Sequence, residues 1–264
     1  MTITFYKFEG TGNDFIMLDG RHTDYTVLTQ AVIERLCNRH FGIGADGLII
    51  LAPTEGADFN MVYYNADGRT SSMCGNGGRC ITAFANYLGL IRDKAAFTAI
   101  DGPHDATINS AAANSWDISL KMIDVNGFEQ IGNDYYLNTG SPHYVKFVGN
   151  VDAVNTVAEG RAIRYNSRFA AQGTNVNFVA DNNGVIDVRT YERGVEDETL
   201  SCGTGVTAAA IAAYLHGIEN DNNTYTIQTT GGNLRVHFMH QNGYFTNVWL
   251  SGPVKFVYRG TVEV

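Results

Sequence analysis

Short runs in which hydrophobic and polar residues alternate occupy most of the chain, and glycine-rich turns separate them. In the first half the segments ITFYKFEG, FIMLD, DGLIILAP and ADFNMVYYN show this pattern, and it continues from AAFTAI to DISLKMI. Such alternation predicts β-strands. Apolar residues instead recur at helical spacing in LTQAVIERLCNRH, and a second helix is predicted at about residues 76–88.

The second half repeats this plan. Strand patterns occur in DYYLNTG, HYVKFVG, TYTIQTT, NLRVHFM, YFTNVWLSG and VKFVYRGTVEV. Between them, TNVNFVADN and GVIDVRTYERG flank Asn182-Asn183-Gly184, which is a strong signal for a tight β-hairpin. A further helix is predicted at about residues 204–216, so both halves combine many strands with a few helices.

Two segments of the chain open on the same Cys-Gly-x-Gly pattern. CGNGGRCITAFANYLG begins at Cys74 and CGTGVTAAAIAAYLHG begins at Cys202, and Gly89 and Gly217 are suited to end the two helices. Upstream, YYNADG matches TYERG, and GTGNDFIMLD matches GTNVNFVAD. One match could be coincidence in a chain with 29 glycines, but three in the same order favour duplication. We therefore expect two similar halves related by a pseudo-twofold axis.

Composition and charge narrow the class of protein. The chain has 264 residues, 44% of them hydrophobic and 17% charged, which is typical of a globular protein with a sizeable core. Its formal charge of −9 argues against nucleic-acid or membrane partners, which require a basic face. We find neither a secretory leader nor an apolar run long enough to cross a membrane. A cytoplasmic protein is expected.

The cysteines suggest chemistry rather than disulfides. Four cysteines in a chain of this length form no C-x-x-C pair, and free thiols in a reducing compartment fit this pattern. Cys74 and Cys202 each precede a predicted helix, whose N-terminal N–H groups favour a thiolate and can hold a carboxylate. If both thiols face one ligand, one can remove an α-proton while the other returns a proton to the opposite face.

A resemblance to a known family rests on seven segments in order: KFEGTGNDFIMLD, YYNADG, MCGNGGRC, NTGSPHYV, GTNVNFV, YERGVEDET and SCGTG. Through them the chain resembles the diaminopimelate epimerases. The resemblance implies cofactor-independent interconversion of LL- and meso-2,6-diaminopimelate in lysine and peptidoglycan precursor synthesis, by homodimers. It also implies an α+β fold of two pseudo-symmetric halves, each a mostly antiparallel barrel-like sheet around a central helix. We expect halves of residues 1–116, joined by strand 252–264, and 117–251, with the active site in the cleft between them.

The resemblance also assigns roles to residues. It implies that Cys74 and Cys202 are the acid–base pair and that His143 and Glu192 support proton transfer. It implies substrate binding by nine residues: Asn13, Asn65, Gly75, Asn76, Asn175, Glu192, Arg193, Gly203 and Thr204. The chain departs from the family pattern at two positions, because many members have Asn where this chain has Ser141 and Gln where it has Gly47.

Some of these residues, and the protein as a whole, also have other interpretations. Cys37 and Cys80 lack the helix-start context and are expected to pack in helices, while Arg79 could be a charge on a helix surface. The histidines show no metal-ligand spacing, so no metal is expected. A proline or hydroxyproline racemase on the same scaffold is the nearest alternative. A dithiol redox or metal-binding protein is an alternative of a different class.

Overall fold

The chain divides into two α+β units. The computed structural model describes residues 1–22, 25–71, 73–218, 220 and 222–264. One unit comprises residues 1–120 and 252–264, and the other comprises residues 121–251. The boundary expected after residue 116 falls inside a strand, so the units divide a few residues later. No helix among the residues just given is long and apolar enough to cross a membrane.

The first unit is a closed barrel. Its strands pair in the order β1 to β7 and then β16, and β16 pairs back onto β1, so no open edge remains. Its eight strands are β1 (Thr2–Gly10), β2 (Asn13–Asp19), β3 (Gly47–Ala52), β4 (Phe59–Asn65), β5 (Lys94–Ala99), β6 (Gly102–Ala112), β7 (Ser115–Lys121) and, from residue 252 onward, β16 (Tyr244–Glu263).

Two helices of the first unit connect its parallel strand pairs. Helix α1 (Gln30–Cys37) links β2 to β3, and α2 (Gly75–Tyr87) links β4 to β5. Helix α1 is amphipathic and buries Ile33, Leu36 and Cys37 against β1 to β3. In α2 every residue from Gly75 to Ala85 is buried. Because a helix buried on all sides must be surrounded by sheet, α2 is the central helix of this barrel.

The second unit repeats the same order of elements. Strands pair in the order β8, β9, β10, β11, β12, β14, β15 and β16, and the bridge Val125↔Phe245 joins the segment before β8 to β16. Its elements are β8 (Phe128–Ile131), β9 (Asp134–Asn138), β10 (Pro142–Phe147), α3 (Thr156–Arg164), β11 (Asn175–Asn182), β12 (Val185–Glu192), β13 (Asp197–Thr199), α4 (Gly203–Leu215), β14 (Thr224–Thr229), β15 (Gly232–Gln241) and residues 244–251 of β16.

The pairing pattern shows how the two halves correspond. Helix α3 links the parallel pair β10 and β11, and α4 links the parallel pair β12 and β14, as α1 and α2 do in the first unit. Strand β10 is therefore the counterpart of β2, and β11 is the counterpart of β3. The match of GTGNDFIMLD with GTNVNFVAD was wrong, because it paired β2 with β11. Both are glycine turns before buried strands, so local sequence alone does not separate them.

Backbone conformation agrees with the predicted turns and helix ends. Gly89 and Gly217 follow α2 and α4 with φ of 71° and 84°. Asn183 and Gly184, also at positive φ, join β11 to β12 in the predicted hairpin. Helix α3, capped by the Asn155 side chain, was not predicted.

Candidate active site

Both candidate thiols occupy the position just before a central helix. Cys74 is the N-cap of α2 and Cys202 is the N-cap of α4, and both have extended backbone conformations. The first intrahelical hydrogen bonds run from Gly78 N to Cys74 O, at 2.7 Å, and from Val206 N to Cys202 O, at 2.8 Å. The three N–H groups before each of those bonds point out of the helix start. Each thiol therefore lies beside donors suited to an anion.

Glycines in the first turns let the helices pack closely. A Cβ placed at Gly77 would lie 3.1 Å from both Ile49 Cδ1 and Met61 Cε, and one at Gly205 would lie 2.5 Å from Asn177 Nδ2. These are tighter than ordinary contacts, so a side chain at either position would force the neighbouring side chains or the helix start to shift. The Cys-Gly-x-Gly pattern thus serves packing as well as the approach of a ligand.

In the first unit, Cys74 faces an amide oxygen. Its Sγ donates to Asn13 Oδ1 at 3.6 Å, and Asn76 Nδ2 donates to the same oxygen at 3.3 Å. On its other side, Asn13 Nδ2 donates to Asp46 Oδ2 at 2.7 Å. The structure thus brings together Cys74, Asn13 and Asn76, three of the residues that the family resemblance singled out. No motif in the sequence pointed to Asp46 as part of this group.

Arg79 is wholly buried, so its interpretation as a surface charge was wrong. Its guanidinium donates to Asn76 Oδ1 at 2.9 Å and to Thr11 Oγ1 at 3.1 Å. Thr11 itself has a φ of 52°, a strained conformation for a β-branched residue. Burial lowers the pKa of Arg79, although arginine stays charged in proteins. The cation therefore anchors both the turn before β2 and the Asn76 side chain.

In the second unit, Cys202 lies next to a hydroxyl that contacts a histidine. Cys202 Sγ lies 3.4 Å from Thr204 Oγ1, which lies 2.9 Å from His143 Nε2. His143 Nδ1 lies 2.8 Å from Asn177 Oδ1. The sequence predicted only a backbone role for Thr204, but its side chain links the other two groups.

The tautomer of His143 follows from its neighbours. The N–H of Arg193 donates to Asn175 Oδ1 at 2.8 Å, which turns Asn175 Nδ2 toward His143 Nε2 at 3.4 Å. Nε2 is therefore an acceptor, and Nδ1 carries the proton that is donated to Asn177. Burial lowers the pKa of His143 to about 4, so the ring is neutral at physiological pH. A neutral Nε2 can accept from the Thr204 hydroxyl, which can in turn accept from the thiol.

The remaining predicted residues lie at strand ends. Glu192 ends β12, beside Asn175 at the start of β11, and Arg193 donates from its guanidinium to Gln172 O at 2.9 Å. Asn65 ends β4 and is exposed. It pairs across the sheet with Gly47. These residues thus lie at the ends of strands in both units.

The two departures from the family pattern have different surroundings. A Cβ placed at Gly47 would lie 2.6 Å from Tyr63 Cε2 and 2.6 Å from Tyr64 O, so neighbouring groups occupy the space of a side chain there. Ser141 is half-buried in the turn before β10.

The other two cysteines are structural, as expected. Cys37 is buried in α1, and burial raises its pKa to about 12. Cys80 is completely buried in α2, and burial raises its pKa further. Both thiols therefore stay protonated. Within the described part of the chain, no group of three or more His, Cys, Asp or Glu side chains is placed to hold a metal ion.

Solved structures of low sequence identity share this fold. A phenazine biosynthesis protein of the PhzF family from Bacillus anthracis matches with a TM-score of 0.76 at 13% identity, covering 100% of both chains. A hydroxyproline epimerase from Agrobacterium vitis matches with a TM-score of 0.70 at 14% identity, covering 99% of this chain and 92% of that one. At such identities the likeness concerns the fold alone.

Sequence comparisons are more specific. The family model for diaminopimelate epimerase matches residues 5–118 and 135–257. A diaminopimelate epimerase of Flavobacterium psychrophilum is 50% identical, over 97% of this chain and 99% of that protein. One of Chlorobaculum tepidum is 39% identical, over 97% and 99% of the two chains. The chain therefore belongs to the diaminopimelate epimerase family.

Proposed function

We propose that the protein interconverts LL- and meso-2,6-diaminopimelate, without a cofactor, in the synthesis of lysine and peptidoglycan precursors. The observation that carries this proposal is that each unit places a thiol at the start of its buried central helix. The 50% identity to a curated diaminopimelate epimerase supports the choice of substrate.

The reaction needs one base and one acid. A thiolate removes the α-proton, and the electron pair of the broken C–H bond delocalises into the substrate carboxylate. The other thiol then donates its proton to the opposite face of the carbanion. One cysteine ends protonated and the other ends as a thiolate, so the reverse reaction exchanges their roles. The scheme requires both Cys74 and Cys202 to reach the same α-carbon.

Helix starts stabilise the carbanion. The N–H groups of Gly75 and Asn76, and those of Gly203 and Thr204, are suited to the carboxylate on which charge develops. His143 supports proton transfer at Cys202 through the Thr204 hydroxyl. Glu192 is suited to a substrate ammonium group.

The far end of the substrate carries a second ammonium and carboxylate. The guanidinium of Arg193 is suited to bind a carboxylate through two hydrogen bonds. Asn13, Asn65 and Asn175 each offer a donor and an acceptor to a zwitterion. These roles follow the family resemblance.

Two further features belong to this proposal. We infer a homodimer and a cytoplasmic location from the family to which the chain belongs. Light scattering of the purified protein at micromolar concentration tests the first. A molar mass of one chain, 28.8 kDa, would contradict a dimer.

Proton exchange tests the function directly. Reduced protein is incubated with meso-diaminopimelate in deuterium oxide without added cofactor, and the α-hydrogen signal is followed by NMR. We expect deuterium to enter the α-position as the LL form appears. Cys74→Ser and Cys202→Ser variants, analysed in parallel, should show almost no epimerisation. Exchange on proline or hydroxyproline but not on diaminopimelate would support the racemase alternative, and dispensable thiols would contradict the two-base scheme.

A further inference from the structure

A chain of side-chain hydrogen bonds runs from a cation to an anion beside Cys74. Arg79 donates to Asn76 Oδ1 at 2.9 Å, and Asn76 Nδ2 donates to Asn13 Oδ1 at 3.3 Å. Asn13 Nδ2 then donates to Asp46 Oδ2 at 2.7 Å. Every donor in this series of hydrogen bonds points toward Asp46, so the two amide dipoles are aligned between the cation of Arg79 and the carboxylate of Asp46.

The charged ends decide which way each amide is turned. An asparagine side chain can exchange its oxygen and nitrogen by a half-turn with little change in shape. A guanidinium can only donate and an ionised carboxylate can only accept. Arg79 therefore requires the oxygen of Asn76, and Asp46 requires the nitrogen of Asn13. The oxygen of Asn13 is left facing the thiol.

This orientation affects Cys74, because Asn13 Oδ1 lies 3.6 Å from its Sγ. A hydrogen-bond acceptor favours the protonated form of a neighbouring acid over its anion. We propose that Asp46 is a positioning residue that turns the Asn13 oxygen toward Cys74, and so keeps Cys74 as the neutral thiol in the ligand-free protein. An amide oxygen has no useful basicity, so the proton stays on sulfur.

The surroundings of Asp46 support this role. Its second carboxylate oxygen, Oδ1, accepts from Arg39 at 2.7 Å, while Oδ2 also accepts the N–H of Asp14 at 3.1 Å. These bonds hold the carboxylate in place although Asp46 lies near the surface. The Asn13 amide N–H therefore donates to a carboxylate that is held in one position.

Several other charges act on this region. Glu9 on β1 and Asp117 on β7 interact with Arg79, as do the thiols of Cys74 and Cys80 on α2. Lys7 and Asp14 lie next to the Asp46–Arg39 pair. The positive charge of Arg79 favours the thiolate and so opposes the effect of the Asn13 oxygen. A substitution at Asp46 leaves Arg79 in place, so it tests the orientation of the Asn13 side chain separately from the charge of Arg79.

At Cys202 the corresponding position has different chemistry. Next to Cys202 lies the Thr204 hydroxyl, whose hydrogen is directed to His143 Nε2, so a proton that leaves Cys202 can pass along this hydroxyl to the ring. Given the proposed function, on which this step rests, Cys74 is the proton donor when substrate first binds. Cys202 then has the role of the base.

The rate of thiol alkylation measures this protonation state without substrate. Wild type and an Asp46→Ala variant are treated with iodoacetamide from pH 6 to 9.5, and modification of Cys74 and Cys202 is followed separately by peptide mass spectrometry. We expect Cys74 in Asp46→Ala to react about fivefold faster at pH 7, the change that corresponds to losing one ordinary hydrogen bond. The reactivity of Cys202 should not change.

Two variants separate orientation from charge. Asp14→Asn removes a negative charge beside Asp46 without removing the bond to Asn13, and it should change the Cys74 rate less than twofold. Asp46→Glu keeps a carboxylate and should restore the wild-type pH profile. Equal acceleration in Asp46→Ala and Asp14→Asn would overturn the proposal, as would an unchanged or slower Cys74. Since no substrate is present, failure of the epimerase assignment leaves this outcome unaffected.

Discussion

The Oγ1 atom of Thr204 lies 2.9 Å from Nε2 of His143, a nitrogen that the surrounding amides make an acceptor. The same hydroxyl lies 3.4 Å from Cys202 Sγ. A hydroxyl in this position can pass a proton by accepting from the thiol while donating to the ring. The side chain of Thr204 therefore connects Cys202 to a neutral imidazole.

Removing this hydroxyl should impair the reactivity of Cys202. Thr204→Val keeps the shape of the side chain but breaks the link between thiol and ring. We expect kcat to fall about 100-fold or more, the usual scale for losing assisted proton transfer. Steady-state kinetics with diaminopimelate measures this fall, and KM should change little because the backbone N–H groups remain.

Thr204→Ser is the matched control because it retains the hydroxyl. Its kcat should lie within about fivefold of the wild type, which corresponds to a change of about 1 kcal/mol in the activation free energy. Equal losses in the Val and Ser variants would show that packing of the methyl group, rather than the hydroxyl, matters.

His143 should make the protein less stable in mild acid. Its pKa is lowered to about 4 by burial, below the ordinary value of 6.5. Between these two values the unfolded chain binds a proton that the folded protein does not, so stability falls as pH falls. Between pH 7 and pH 5 we expect a loss of about 2 kcal/mol, measured by urea unfolding.

A His143→Gln variant isolates this effect, because its side chain does not titrate. The variant should lose less stability than the wild type over the same pH interval. Parallel pH dependences for the two proteins would mean that His143 is protonated equally in the folded and unfolded states.

The buried ion pair of Lys7 should contribute more than its exposed neighbour. Lys7 Nζ contacts Asp14 Oδ2 at 2.8 Å and also donates to Gly44 O, and the residue is 5% exposed. Burial alone would raise the pKa of Asp14, but hydrogen bonds from Arg39 and Lys7 hold it well below its usual range. Lys7→Met removes the buried partner of this carboxylate and leaves the more exposed pair with Arg39, so we expect a loss of about 3 kcal/mol in urea unfolding.

Arg39→Met provides the comparison. The side chain of Arg39 is 55% exposed and contacts the same carboxylate at 2.7 Å. Solvent screens this pair, so its loss should cost less than about 1 kcal/mol. A larger loss in Arg39→Met than in Lys7→Met would contradict the importance of burial here.

A side chain at position 47 should strain the first barrel. A Cβ there would meet the Tyr63 ring and the backbone oxygen of Tyr64, each at 2.6 Å. We expect Gly47→Ala to lower the free energy of unfolding by about 1 to 3 kcal/mol. Thermal and urea unfolding measure this. Gly149 is a control position, since a Cβ there meets no atom within 4 Å. An equal loss of unfolding free energy at both positions would show that the substitution at position 47 acts through the backbone rather than through contact with Tyr63 and Tyr64.

The sequence predicted the features that depend on local patterns. The helices after Cys74 and Cys202 begin within one residue of prediction because glycine and apolar periodicity mark them. The pairing between strands that are distant in the chain could not be predicted from local patterns. The mismatch of β2 with β11 arose because both follow a glycine turn, and only the parallel pairing through α1 and α3 separates them.

Side-chain orientation within the candidate site could not be predicted from motifs. Arg79 lies in a helix whose sequence looks amphipathic, and only its closure inside a barrel buries the charge. Asp46 is distant in sequence from the residues around Cys74 and meets Asn13 through the pairing of β2 with β3. The hydroxyl of Thr204 was missed because the glycine-rich motif drew attention to backbone groups.

Strand β16 has a consequence for how the protein is made. Residues 244–251 of this strand pair with β15, and residues 252–263 pair with β7 and with β1 at the opposite end of the chain. A growing polypeptide on the ribosome thus holds the first barrel open, with the edges of β1 and β7 unpaired, until residues 252–263 emerge. Synthesis must pass residue 255 before β7 is covered and residue 263 before β1 is covered, and a nascent chain that stalls before residue 252 leaves both edges free to pair with other chains.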